Sequence, residues 1–111
     1  MDVIVDLREG SPTFGQHQGF LLIEQDMEML YVPKGFAHGY STLPNDVKFL
    51  YKVDNYYDPK SDSGITFLDK DLDIRWAVEF EKAIMSEKDK SLQTFEEYTK
   101  SSNKFIYKGV K

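Results

Sequence analysis

Few residue types in this sequence can do chemistry at neutral pH. It contains two histidines, His17 and His38, and no cysteine. Histidine and cysteine supply most tight metal sites, and three or four ligands are needed for one. Two histidines and one carboxylate would be the minimum set, but the histidines lack the close spacing that puts both on one strand face. We therefore expect no metal ion. The chemistry that remains open to these residues is hydrogen bonding and proton transfer.

His38 lies in the segment PKGFAHG, residues 33–39. Proline and glycine fix a sharp entry to this segment, and Gly39 allows another group to approach the backbone closely. A histidine between them could act as a hydrogen-bond donor in a cleft. It could also be a half-buried histidine that bonds a backbone carbonyl, and spacing alone favours this second interpretation.

Tyr51 lies in the middle of a predicted strand, where alternation puts Phe49, Tyr51 and Val53 on one face. Inside a barrel, its hydroxyl must find a partner among apolar neighbours. A phenol can also serve as a proton donor, although composition alone favours a core tyrosine. The adjacent Tyr56 and Tyr57 are expected to point to opposite faces, so that at most one of them faces a cleft.

The segment SEKD, residues 86–89, predicts a helix start, because the Ser86 side chain can accept the free backbone N–H three residues on. An aspartate such as Asp89 can also orient a histidine and raise its basicity. Taken alone, Asp89 is more often a helix-capping residue.

Length and composition limit the classes of protein to which this chain can belong. The chain has 111 residues, enough for one domain, which we place at residues 1–111. Its net charge of −5 makes nucleic acid an unsuitable partner. No apolar run reaches the ~20 residues of a membrane helix, and we do not expect residues 1–6 to belong to a signal peptide, because no basic region is followed by an apolar stretch. The lack of cysteine fits a reducing compartment, which favours the cytoplasm.

Turn signals divide the sequence into short apolar runs, which favours an all-β sandwich or barrel. A helix is expected after Ser86, and the basic segment 104–111 is expected to fray at the chain end. A hairpin is expected at residues 44–46. Strands are predicted at residues 2–7, 20–23, 29–32, 38–43, 47–57 and, more briefly, 65–67.

Five motifs, taken together, resemble one family, the dTDP-4-dehydrorhamnose 3,5-epimerases, which are nucleotide-sugar epimerases of rhamnose synthesis. They occur in the order and near the spacing of that family. The resemblance covers residues 2–89, and the tail at residues 91–111 does not follow it. The motifs are VDLREGSPTFGQ (5–16), PKGFAHG (33–39), FLYK with NYY (49–52 and 55–57), LDIRW (72–76) and SEKD (86–89).

The resemblance implies a cupin-like β jelly roll with a short C-terminal helix, a homodimer, and neither metal nor organic cofactor. It also implies a dTDP-4-keto-6-deoxy sugar as substrate. Such an epimerase removes a proton next to the C4 ketone and returns it from the other face. A base, an acid and hydrogen-bond donors for the enolate oxygen are therefore required.

The resemblance also assigns roles to individual residues. Tyr51 matches the catalytic acid, and Asp89 matches the aspartate that pairs with the catalytic base. The expected substrate contacts are His38, Tyr57, Asp62, Lys88 and Asp2, where Asp62 stands in place of the more usual glutamate.

One expected part has no counterpart here. The family's base is a histidine upstream of the VDLR strand, beside a substrate-binding arginine, and His17 is not expected to replace it. The implied jelly roll therefore lacks its N-terminal strands. We expect a homodimer or a companion chain that supplies them. Three functions remain open: an epimerase, a catalytically impaired module that binds nucleotide sugars or other partners, and a related cupin sugar ketoisomerase.

Overall fold

The computed structural model describes residues 1–42, 47–76, 83–102 and 104–108, and in these ranges the chain is sheet-rich with two short helices. The strands are β1 (Asp2–Asp6), β2 (Arg8–Glu9), β3 (His17–Phe20), β4 (Phe36–Tyr40) and β5 (Phe105–Ile106). The helices are α1 (Glu87–Lys90) and α2 (Phe95–Lys100).

Strand β1 is the centre of the main sheet and pairs antiparallel with both β3 and β4. Residues that face each other across such a pair share a side of the sheet. Ile4 lies opposite His38, whereas Val5 lies opposite His17. Because Ile4 and Val5 alternate, the two histidines belong to opposite faces of the sheet.

The two faces of β1 have different surroundings. Val3 and Val5 lie on one face and are buried in a small apolar core. Asp2 and Asp6 lie on the other face and are also buried, each against a polar partner. The buried apolar residues of the core are Val3, Val5, Leu7, Leu72 and Tyr98.

The predicted strand at residues 2–7 is confirmed as β1, but several other strand predictions are wrong. Residues 29–32 and 47–57 form no strand, and of residues 20–23 only Phe20 is in one. Their apolar side chains are mostly exposed, for example Met29 and Leu50. A strand persists only where a neighbour satisfies its backbone groups, and the described ranges provide none for these segments.

The C-terminal part differs from expectation in a similar way. Ser86 caps α1 as predicted, accepting the N–H of Asp89 at 3.2 Å. The predicted strand at residues 65–67 is reduced to a single bridge between Ile65 and Gln93. Residues 104–107 do not fray, because β5 pairs in parallel with β2. The predicted hairpin at residues 44–46 lies outside the described residues.

Candidate functional site

The candidate site begins with a pair on the polar face of the main sheet. Asp2, at the start of β1, and His38, on β4, are joined by a hydrogen bond of 2.8 Å between Oδ1 and Nε2. The carboxylate is buried, while about a third of the His38 side chain is exposed. The pair therefore leaves an oriented imidazole partly accessible to solvent.

An aromatic row leads away from His38. Its ring centroid lies 6.2 Å from that of Tyr40 and 6.3 Å from that of Phe49, with angles of 29° and 28° between the ring planes. Tyr40 and Phe49 stack at 4.0 Å, and Phe49 meets Tyr51 at 5.9 Å. Phe49 is thus stacked against β4, although residues 47–51 form no strand.

A second group of predicted site residues gathers around Asp62. The Asp62 carboxylate accepts hydrogen bonds from the Tyr57 hydroxyl, at 3.2 Å, and from the Lys88 ammonium. The Lys88 hydrogen bond lowers the pKa of Asp62 below its usual value, and Tyr57 adds to that effect. The same pair raises the pKa of Lys88. Lys88 therefore carries its positive charge beside a carboxylate that lines an open groove.

This groove contains one member of the aromatic row, Tyr51, and two members of the second group, Tyr57 and Asp62. It is open, encloses about 760 Å³, and is lined by Tyr51, Val53, Asn55, Tyr56, Tyr57, Asp58, Ser61 and Asp62. Tyr51 therefore touches the aromatic row on one side and shares the groove with Tyr57 and Asp62 on the other. The expectation that only one of Tyr56 and Tyr57 could face a cleft is wrong. The chain bends at Asp54 and Asn55, so strand alternation does not apply.

Tyr51 itself is more exposed than the sequence predicts. Its side chain is not enclosed by apolar neighbours, because 76% of the residue is accessible to solvent. Among the described residues, none forms a hydrogen bond with its hydroxyl. The phenol is thus free to meet a ligand or a further polypeptide segment.

Asp89 lies beside this group without joining it. It occupies the first turn of α1, next to Lys88, and its backbone N–H bonds the Ser86 side chain. No described residue donates a hydrogen bond to its carboxylate. The pairing of Asp89 with a catalytic base stays a prediction.

A polar cluster that sequence reasoning missed lies at the other end of β1. Asp6 is 2% exposed, and its carboxylate accepts hydrogen bonds from Arg8, Ser11 and Thr13 at 2.5–3.0 Å. The Arg8 hydrogen bond is the largest cause of a pKa for Asp6 well below the usual range. All four residues belong to the motif at residues 5–16, which was the available signal.

The described ranges contain neither a metal-binding cluster nor a membrane-spanning helix. No three histidine or acidic side chains in them come close enough to hold a metal ion. No helix in them is both long and apolar enough to cross a bilayer.

Comparison with known proteins identifies the family. The family model of dTDP-4-dehydrorhamnose 3,5-epimerase matches residues 1–97. The enzyme of that name from Shigella flexneri is 39% identical over 94 residues, which are 85% of this chain and 51% of the relative. The one from Escherichia coli is 43% identical over 96 residues, 86% of this chain and 51% of the relative. The chain therefore spans about half the length of the curated relatives it matches.

Solved structures agree with this relationship. A dTDP-4-dehydrorhamnose 3,5-epimerase from Elizabethkingia anophelis superimposes with a TM-score of 0.71 at 36% identity, covering 86% of this chain and 52% of that one. A dTDP-6-deoxy-D-glucose-3,5-epimerase from Legionella pneumophila, in complex with dTDP-4-keto-L-rhamnose, gives 0.67 at 35% identity, covering 84% and 49%. The chain belongs to the dTDP-4-dehydrorhamnose 3,5-epimerase family.

Proposed function

We propose that this chain supplies the acid side of a sugar 3,5-epimerase site, which acts on a dTDP-4-keto-6-deoxy sugar in deoxysugar synthesis. The observation that carries the proposal is the position of Tyr51. Its ring meets that of Phe49, which in turn lies 6.3 Å from the His38 ring, and it lines an open groove together with Tyr57 and Asp62. Family membership supports the reaction class.

The chemistry assigns each group a task. A base removes the proton at C3 or C5, and an acid returns a proton to the opposite face of the enolate. Tyr51, exposed and free of hydrogen bonds in the described ranges, is our candidate for the acid. The oriented imidazole of His38 can bond a sugar oxygen, with Asp2 as its support. Tyr57, Asp62 and Lys88 would receive the nucleotide, with the cation near its phosphates.

The base must come from outside these residues. By its resemblance to the family, the upstream histidine would provide it, and Asp89 would pair with that histidine. We propose that the chain functions as a homodimer or with a companion segment that completes a cupin-like jelly roll. No metal or organic cofactor is needed for this chemistry. The nucleotide-sugar substrate and the lack of cysteine favour the cytoplasm.

A second candidate is a catalytically impaired module that binds a nucleotide sugar. The observation that favours it is the carboxylate of Asp89, to which no described residue donates a hydrogen bond. Losing a general base typically costs ~10²–10⁴ in rate. Such a module would keep the groove and the Lys88 cation while lacking turnover.

Hydrogen exchange in D₂O tests the proposal. The chain is incubated with dTDP-4-keto-6-deoxyglucose, alone and with a separately produced N-terminal half of a family relative. The C3 and C5 proton signals are followed by NMR. We expect exchange above the buffer rate when the N-terminal half is present. Binding of the substrate without exchange in either mixture would favour the binding module, and no binding at all would exclude both candidates.

A further inference from the structure

Residues near the C-terminus hold the end of β1 that lies away from Asp2. We call Tyr98, Lys104, Phe105, Ile106 and Tyr107 the C-terminal clasp. We propose that the clasp fixes the register between β1 and β4 and thereby keeps Asp2 within reach of His38. Its members are positioning residues. The catalytic importance of the pair depends on the proposed function, whereas the positioning itself does not.

The first contact of the clasp is made by Tyr98. This residue is only 5% exposed and belongs to the apolar core. Its hydroxyl donates to the backbone carbonyl of Leu7 at 2.7 Å and accepts the N–H of Phe105 at 3.1 Å. One buried hydroxyl thus ties the residue after β1 to the first residue of β5.

The backbone of the clasp extends this connection. Strand β5 pairs in parallel with β2, and the N–H of Tyr107 donates to the carbonyl of Glu9 at 2.9 Å. The Lys104 ammonium lies 3.1 Å from the Glu9 carboxylate. The clasp therefore follows β2 over its whole length.

Arg8 connects the clasp to β4. Its guanidinium carbon lies 4.9 Å from the ring centroid of Tyr107 and 4.8 Å from that of Phe36, the first residue of β4. The same guanidinium forms two hydrogen bonds of 2.9 Å with the buried Asp6 carboxylate. Arg8 thus contacts one ring of β4, one ring of the clasp and the Asp6 carboxylate.

A close backbone contact at this point aligns the start of β4 with the end of β1. The N–H of Leu7 donates to the carbonyl of Gly35 at 3.0 Å. A side-chain carbon added at Gly35 would lie 2.5 Å from Cγ of Arg8. A slip of one residue between strands turns every side chain to the opposite face. Such a slip would place His38 and Asp2 on different faces and would break their hydrogen bond.

The whole clasp lies outside the part of the chain that the family model describes. The model matches residues 1–97, and the clasp begins at Tyr98. This segment therefore constrains one end of the short sheet. The Asp2–His38 hydrogen bond lies at the other end and shows whether the register is kept.

The test uses the whole chain and the imidazole nitrogen chemical shifts of His38. Tyr98→Phe removes one hydroxyl, and Tyr107→Leu removes the ring over Arg8 while keeping an apolar side chain. Lys100→Ala is the matched control, because Lys100 pairs with Glu96 on the surface of α2. Asp2→Asn supplies the reference spectrum for the altered pair, and circular dichroism reports the fold.

We expect both clasp variants to remain folded and to move the His38 Nε2 shift at least halfway toward the Asp2→Asn value, with no movement in Lys100→Ala. A lower melting temperature with unchanged His38 shifts would overturn the proposal, since the clasp would then only add stability. No change in either quantity would overturn it as well.

Native-state hydrogen exchange covers the case in which the variants unfold. In the unmodified chain, the amides of Tyr107 and Leu7 should open together as denaturant is raised, because they belong to one cooperative unit. Opening of Tyr107 at much lower denaturant, with Leu7 still protected, would overturn the proposal. Neither measurement needs a substrate, so its outcome is independent of the epimerase proposal.

Discussion

The carboxylate of Asp2 and the imidazole of His38 are joined by a 2.8 Å hydrogen bond across 36 residues of sequence. A carboxylate can only accept, so Nε2 of His38 must carry the proton of this bond. In the neutral ring, Nδ1 is then left as an acceptor, and in the protonated ring it is a donor. Asp2 therefore determines which ring nitrogen His38 can offer to a ligand.

Replacing Tyr51 by Phe should separate chemistry from binding. The change removes a hydroxyl that is exposed to solvent and has no hydrogen-bond partner in the described ranges, so stability should be unaffected. If Tyr51 is the acid, hydrogen exchange in an active assembly should fall by ~10²–10⁴. Binding of dTDP, measured by calorimetry, should stay within twofold, about the effect of a lost weak contact.

Tyr56→Phe is the control for this prediction, because Tyr56 lines the same groove and is almost fully exposed. Its exchange rate should equal that of the unmodified protein. Equal rates for both variants would remove Tyr51 from the mechanism.

The buried Asp6 should make stability depend on acid pH. Its pKa is lowered in the folded state, mainly by Arg8, relative to the ~3.9 of an unfolded chain. The resulting stabilisation is complete above that unfolded value and is lost as the pH falls below it. Asp6→Asn should cost ~2 kcal/mol at neutral pH, a charged buried hydrogen bond, and this difference should shrink below about pH 4.

Urea unfolding at a series of pH values measures this difference. Glu96→Gln is the control, because its carboxylate pairs with Lys100 on the exposed surface of α2. At neutral pH, Glu96→Gln should lower the free energy of unfolding by less than Asp6→Asn does. If the difference in unfolding free energy between Asp6→Asn and the unmodified protein stayed constant down to acid pH, the lowered pKa of Asp6 would not be its cause.

Local chemistry was enough to predict some of the structure. The alternation along residues 2–7 predicted β1. Ser86, whose side chain accepts the backbone N–H three residues on, predicted the start of α1. Both depend on groups that are close in sequence. The motif at residues 33–39 favoured a half-buried His38 that bonds a backbone carbonyl; the partial burial is found, but the partner is the Asp2 carboxylate.

The rest depended on groups distant in sequence. The Tyr98 hydroxyl meets the carbonyl of Leu7 across 91 residues, and no local pattern encodes that contact. The aromatic run at residues 47–57 has strand composition, yet a strand also requires a neighbouring strand. Tyr56 and Tyr57 share a groove because the chain bends before them. In a bent segment, successive side chains no longer point to opposite faces as they do in a strand.

Lys88 should contribute electrostatically to nucleotide binding. Its ammonium faces Asp62, and both groups are accessible to solvent. A diphosphate at the groove would compete with Asp62 for this cation. Lys88→Met should therefore weaken dTDP binding, and the loss should diminish as salt is added, because exposed charges are screened. Calorimetry at low and high salt measures both effects.

Lys90→Met is the matched control, since Lys90 lies on the same short helix and pairs with Glu87 instead. Its dTDP affinity should equal that of the unmodified protein. Equal losses for the two variants would indicate a diffuse effect of charge and would exclude a specific contact at Lys88.

Two glycines flank Val3 in the main sheet and should respond differently to the same change. Gly19 on β3 and Gly39 on β4 both lie opposite Val3. A carbon added at Gly39 would lie 2.9 Å from the Trp76 ring, which is held by a 3.0 Å hydrogen bond to the carbonyl of Phe67. At Gly19 the nearest atom is the flexible end of Met1, also at 2.9 Å.

Gly39→Ala should therefore destabilise the protein by ~1–3 kcal/mol, because the ring must move or lose its hydrogen bond. Gly19→Ala should change stability by less than ~0.5 kcal/mol, since a methionine end adapts easily. Trp76 is the single tryptophan of the chain, so its fluorescence maximum should shift in the first variant and stay fixed in the second. Equal unfolding midpoints for the two variants would mean that Trp76 does not pack against β4 as described.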